Sequence, residues 1–302
     1  SETPGGPSKP ILNPPTPANS STTLSTDPVG LPGLMKISID GIGYTGYRWR
    51  AFMGFSEEDE LMAYARRLGG LRFSEISTLI GKLDEGHRKH TKGIAAKVIE
   101  TGYFGIPTNS SEAPDFEELG IELKVSPLRR IERLGLYTTK ERNVIKMVDY
   151  NEIARSPSWE RNKIRHKLGR VLFVLYVHDN SISAWDWKVA KVFLWSPSME
   201  QRGKIQADYE IMRENVLAGR NLREGDHMFF ATCPKHGGGY LKDDPLESPN
   251  SALAEHPVMG KAEKRGYCIK REAFIALIAE SIGAPLVKKG RSIGITGNCL
   301  QM

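Results

Sequence analysis

The chain has 302 residues, 39% of them hydrophobic and 26% charged, which allows one large or two small folded domains with a substantial core. A net charge of +6 favours an anionic partner over a neutral one. Its three cysteines, Cys233, Cys268 and Cys299, form no C-x-x-C pair, which argues against a disulfide framework or a zinc finger, and no apolar run approaches the roughly 20 residues of a membrane span.

Residues 1–34 hold eight of the 18 prolines and no aromatic residue. Such a stretch cannot bury enough apolar area to offset its ordering entropy, so it reads as a disordered tail, and its polar start does not read as a signal peptide. One folded domain is expected over 35–302. "GIGYTG" at 41–46 matches G-x-G-x-x-G, but no convincing helix opens after it and no βαβ unit follows, so it reads as a glycine-rich turn rather than a dinucleotide site. From Ser56, "SEEDELMAYARRLGG" has an N-cap candidate, acids in its first turn and Leu61, Ala65 and Leu68 on one face, the signature of a helix. "RFSEISTLI" and "KGIAAKVIETGYFG" predict two more. Strands are expected at 120–125, 142–148, 170–179 and 191–197, the third apolar enough to be an inner strand. A long helix over 198–219, two late strands in "HMFFATCP" and "GYCIK", and a helix in "REAFIALIAESIG" complete the pattern. The fold class is α/β (α+β), a mixed sheet flanked by helices.

The strand "GIELKV" carries charges where strands tolerate few. Alternation sends Ile121, Leu123 and Val125 to one face and Glu122 and Lys124 to the other, and Gly120 can turn the chain so that Asp115 lies beside Glu122. Two carboxylates and a lysine suit Mg²⁺-dependent phosphodiester hydrolysis, with carboxylate oxygens for the hard cation and an ammonium for the developing charge. The pattern is Pro114-Asp115 followed by Glu122-x-Lys124. A strand with one wet face would carry the same residues, so the motif needs support from outside itself.

That support comes from order along the chain. "KGIAAKVIETGYFGIPTNSSEAPDFEELGIELKVSP" resembles the core of the MutH-type endonuclease family, a branch of the PD-(D/E)xK nucleases, with the family's K-G…E, P-D-F and G-x-E-L-K elements and its six-residue gap between Asp115 and Glu122. "KERNVIKMVDY", "RHKLGRVLFVLYV", "VFLWSPS" and "KRGYCIKREAF" resemble the following family motifs in the same order. The resemblance spans about residues 56–282 and is nearest to the GATC-cutting type II restriction members. It implies a restriction-endonuclease-like fold, Asp115 and Glu122 as ligands of Mg²⁺, Lys124 as the catalytic lysine, Glu100 as an additional active-site acid and Lys167 as a second active-site lysine.

The implied activity is site-specific hydrolysis of double-stranded DNA in the bacterial or archaeal cytoplasm, with no membrane partner. One motif per chain means that a double-strand break takes a homodimer on DNA or a monomer nicking twice. The family's reading elements fall on Glu141 and on the segment 231–242, with Lys235, His236 and Lys242; Arg165 and Lys270 lie in basic stretches suited to DNA contact. Cys233 and Cys268 stand where the mismatch-repair members carry an arginine and a methylation-sensing tyrosine. Those departures favour a restriction enzyme over a methyl-directed nickase, and the presence of Asp115, Glu122 and Lys124 argues against the other alternative, a non-catalytic DNA-binding module.

Overall fold

A computed structural model of the chain describes residues 22–26, 34–39, 44–49, 55–80, 93–107, 112–156, 158–235 and 253–301. The chain divides into two compact units, Ser1–Arg50 and Ala51–Met302, where the sequence reading places the division after Leu34. In the first unit, strands β1 (Thr22–Thr26), β2 (Leu34–Ile39) and β3 (Tyr44–Trp49) form an antiparallel sheet in that order. The stretch read as a disordered tail therefore contains one strand: three of the five residues of β1 are β-branched threonines, and they pair in continuous register from Thr22↔Ile39 to Thr26↔Met35. The last three residues of "GIGYTG" lie in β3; the first three fall outside the described residues.

The second unit opens with α1 (Glu58–Arg66), whose first turn holds Glu58, Asp59 and Glu60 and whose Leu61, Met62, Tyr64 and Ala65 are buried. Its N-cap is Glu57, one residue past the expected Ser56. Helix α2 (Phe73–Leu79) and a π-helix over Ala96–Tyr103 follow. Then come β4 (Glu122–Ile131), β5 (Leu136–Thr139), β6 (Asn143–Met147), α3 (Tyr150–Arg155), α4 (Ile164–Gly169), β7 (Val171–Val177) and β8 (Val189–Trp195). The long helix α5 (Met199–Leu217) starts with a capping box, Ser198 Oγ accepting from Gln201 N at 3.2 Å and Gln201 Oε1 accepting from Ser198 N at 3.0 Å. The chain ends with β9 (Phe230–Pro234), β10 (Leu253–His256), β11 (Gly260–Glu263), β12 (Arg265–Ile269), α6 (Arg271–Ile282), β13 (Leu286–Lys289) and β14 (Ser292–Thr296).

A six-stranded mixed sheet, ordered β13-β14-β5-β4-β7-β8, forms the centre, and β4 with β7 is its one parallel pair among the described strands. Strand β7 is apolar and buried almost throughout because both neighbours flank it and helices cover its faces. A smaller antiparallel sheet, β6-β12-β9, turns Ile145, Phe230, Tyr267 and Ile269 into the same core as Phe173 and Phe274. Its other face carries small side chains, Ala231, Cys233 and Cys268, packed with Val144. Among the described residues no helix is long and apolar enough to cross a membrane.

Asp208 on α5 fixes the smaller sheet to the core. It is fully buried, and its carboxylate accepts from the backbone N–H of Met228 at 2.8 Å, Phe229 at 2.7 Å and Phe230 at 2.8 Å, the residues that lead into β9. Removing the acceptor strands these donors at roughly 1–3 kcal/mol each. Asp208→Ala should therefore destabilise the protein by about 3 kcal/mol or more in urea unfolding, and Asp208→Asn, which keeps an acceptor oxygen, by less.

Candidate active site

Asp115 and Glu122 meet because the chain between them folds back on itself. A single turn of 3-10 helix over Glu117–Leu119 ends at Gly120, whose φ of +63° is the left-handed conformation that glycine adopts without strain. Phe116 and Ile121 then exchange backbone hydrogen bonds of 2.9 and 3.2 Å. This narrow hairpin brings Asp115 alongside β4, where its Oδ2 accepts from Leu123 N at 2.9 Å. On the other side of β4, Glu122 N donates to Arg170 O at 3.0 Å, and the parallel register with β7 begins at Glu122↔Val171.

Glu122 does not face water. It is only 2% exposed, as buried as the apolar Leu123 beside it, whereas Val125, expected in the core, is only half-buried. Two lysines hold its carboxylate: Lys124 Nζ donates to Oε1 at 2.6 Å and Lys167 Nζ to Oε2 at 3.0 Å. Lys124 reaches it from two residues along the same strand face. Lys167, itself 7% exposed, reaches it from α4, the short helix that feeds β7. Buried Asn162 positions the start of α4, accepting from Ile164 N at 2.9 Å and donating to Tyr209 Oη at 2.6 Å. Further along the same face of β4, Ser126 Oγ accepts from Asn143 Nδ2 of β6, tying the two sheets together.

Glu100 joins this group from the π-helix. The widened turn, with Ile99 O accepting from Phe104 N and Glu100 O from Ile106 N, is the kind of helix defect that recurs at functional sites. Burial pushes the Glu100 carboxyl above its ordinary range; Lys124 draws it down, while Asp115 and Glu122 push it up further. Asp115 is raised by burial first and then by Glu122, against the Leu123 N–H bond, Lys124 and Lys167. The structure thus brings together all five residues singled out from the sequence, Asp115, Glu122, Lys124, Glu100 and Lys167. Burial and neighbouring carboxylates thus raise both Glu100 and Asp115, and a cation between them would relieve that repulsion. Among the described residues no group of three His, Cys, Asp or Glu side chains closes into a full metal cage.

The residues expected to contact DNA fall in two places. Arg165 lines a groove of about 830 Å³ beside Pro114 and Gly120, together with His166, Arg170 and Arg202. Glu141 and Lys235 line a second pocket of about 540 Å³ on the outer face of the smaller sheet. Glu141 is exposed and paired with Lys140 at 2.8 Å. Lys270 donates to His227 O at 2.7 Å, bracing the turn before β9. His236 and Lys242 lie outside the described residues. At the pocket floor, the Cys268 thiol bonds to Cys233 and holds it down at about 7 against burial, helped by Lys235 and Arg142; Cys268 is pushed up. The sequence reading missed Asn162 and the bidentate pair between Arg142 and Glu224. The latter joins residues 82 apart in the chain, and no local pattern marks it.

A mixed sheet that carries two carboxylates and a lysine on one strand and hairpin has the arrangement that the PD-(D/E)xK nuclease pattern requires. The family model for the DNA mismatch repair enzyme MutH matches residues 104–208, a span that includes Asp115, Glu122, Lys124 and Lys167. The DNA mismatch repair protein MutH of Escherichia coli K12 is 27% identical over 227 residues, covering 74% of this chain and 92% of the relative. The proteins of the same name from strains O157:H7 and O9:H4 match to the same extent, 27% over 227 residues. These matches support a MutH-like endonuclease family for the chain.

The carboxylate shifts have a stability consequence. Asp115 and Glu100 hold protons more tightly folded than unfolded, so the stability they contribute is present in acid and is lost as pH rises through their folded pKa values. Asp115→Asn and Glu100→Gln should therefore raise Tm at pH 7–8, and the gain should shrink as pH falls into the carboxylate range. Glu122→Gln should lower Tm instead, because it leaves Lys124 and Lys167 facing a neutral amide. Differential scanning fluorimetry across pH measures all three.

Proposed function

We propose that the protein is a Mg²⁺-dependent, site-specific endonuclease of double-stranded DNA, and that it works as a type II restriction enzyme. The observation that carries this reading is the Glu122 carboxylate, buried between Lys124 and Lys167 with Asp115 folded alongside. Asp115 and Glu122 would hold the cation, with Glu100 completing the acidic wall. Bound there, a divalent ion supplies Lewis-acid stabilisation of charge on the phosphate. Lys124, the more exposed of the two lysines, is the one able to donate to an attacking water or to a non-bridging phosphate oxygen as charge builds. Lys167 stays buried and keeps Glu122 oriented; it is a positioning residue. The groove beside Pro114 offers Arg165, Arg170 and Arg202 to a phosphate backbone, with Glu117 and Glu160 also in its lining.

A second reading, a methyl-directed nickase, is supported by the mismatch-repair relatives. The restriction reading is favoured by the floor of the outer pocket, where the small buried Cys233 and Cys268 offer neither a guanidinium nor a phenol to probe a methyl group. The resemblance to the GATC-cutting restriction members supports GATC as the site. Digesting methylated and unmethylated plasmid with the protein alone, then sequencing the ends, separates the two. Double-strand breaks at a fixed short site without partners support restriction; single-strand nicks confined to unmethylated strands support the nickase.

In the same assay, Asp115→Ala, Glu122→Ala and Lys124→Ala should each reduce cleavage at least 100-fold, about the scale of losing one preorganised charge-stabilising group. EDTA should abolish cleavage and Mg²⁺ restore it. Wild-type rates in either carboxylate variant at saturating Mg²⁺ would remove the assignment.

A further inference from the structure

The outer pocket is lined by acids and bases together, Glu141, Glu224 and Glu272 with Lys140, Arg142, Lys235 and Arg271. Three carboxylates make this a poor track for a phosphate backbone, since each phosphate would meet like charge at close range. Base edges, which present both donors and acceptors, suit a mixed rim. The floor cannot do the reading itself. Cys233 is 4% exposed and Cys268 fully buried, and they pack on Ala231 and Val144. The floor is also drawn in at Gly266, where a Cβ would lie 2.8 Å from Val144 Cγ1 and 3.3 Å from Lys235 Cε, so that the Lys235 stem runs close over β12.

One rim side chain is preorganised. Arg142 Nε donates to Glu224 Oε1 at 3.0 Å and its Nη2 to Glu224 Oε2 at 2.5 Å. This side-on pair uses two of the five guanidinium N–H groups and leaves the geometry of the Nη1/Nη2 end fork intact. A carboxylate-held guanidinium has a fixed plane and loses little freedom on binding. Glu224 is fixed in turn, because the turn behind it is held by Asp208 and by Lys270 on His227 O. Lys140, the neighbouring base, is paired with Glu141 and has no planar fork.

We propose that Arg142, oriented by Glu224, is a specificity-determining residue that donates end-on to O6 and N7 of one guanine of the target site. The assignment rests on the endonuclease reading above. Bidentate pairing of this kind discriminates one base pair and adds little to non-specific affinity.

The test begins with wild-type protein, whose cleavage ends define the site. Binding is then measured without divalent metal on that duplex, on duplexes with each base pair replaced, and on random duplex, for wild type, Arg142→Lys and Glu224→Gln. Arg142→Lys should bind the mapped site roughly ten- to a hundredfold more weakly, become indifferent to one G·C pair, and bind random duplex within about twofold of wild type. Glu224→Gln should lose discrimination at the same pair to a smaller degree. Equal weakening on every duplex with a shallower salt dependence would make Arg142 a phosphate contact and overturn the proposal. Unchanged discrimination with a lowered melting temperature would overturn it too, leaving the pair a structural tie. Absence of any defined cleavage by wild type is a separate outcome, and it refutes the endonuclease reading itself.

Discussion

The site depends on one carboxylate kept out of water. Glu122 sits on an inner strand at 2% exposure, and an isolated charge there would be strongly disfavoured. Lys124 and Lys167 make it tolerable, and each needs a different part of the fold. Lys124 requires only the two-residue alternation of β4. Lys167 requires that α4 end beside β4, which follows from α4 running into β7 and β7 pairing with β4 in parallel from its first residue. The parallel pair at the centre of an otherwise antiparallel sheet is thus what joins the two halves of the site. Asn162, which accepts from Ile164 N at the start of α4 and donates to Tyr209, fixes the approach.

Such an arrangement costs stability as well as supplying chemistry. A buried ion pair gains little net over a well-packed apolar pair, and two further carboxylates beside it, Asp115 and Glu100, are each raised by burial and by their neighbours. Nothing in the packing of the fold requires these charges together. In the proposed function a cation would offset the carboxylates and a phosphate would complete the surroundings of Lys124.

Much of this was legible in the sequence, for identifiable reasons. The hairpin between Asp115 and Glu122 could be read because Gly120 marks the turn and the alternation of "IELKV" marks the strand. The inner position of β7 followed from its unbroken apolar run, and α5 was expected over 198–219. The burial of Glu122 could not be read, since alternation alone puts a charged residue on the wet face and only the distant Lys167 reverses that. Strand β1 was missed because prolines dominate the composition around its threonines. The β13–β14 hairpin and the pair of Arg142 with Glu224 were missed because one is short and polar and the other spans 82 residues. The order of family motifs supplied what local chemistry could not, the grouping of Glu100 and Lys167 with the central pair.

The central claim is that Asp115 and Glu122 form a cation site whose charge balance includes the two lysines. Mn²⁺ is a paramagnetic substitute for Mg²⁺, and its binding in the presence of duplex DNA can be counted by electron paramagnetic resonance without any turnover. The account predicts a bound ion in the wild-type complex, weakened at least tenfold in the double variant Asp115→Asn/Glu122→Gln and retained in Lys124→Ala. Equal Mn²⁺ binding by the wild type and the double variant would contradict it.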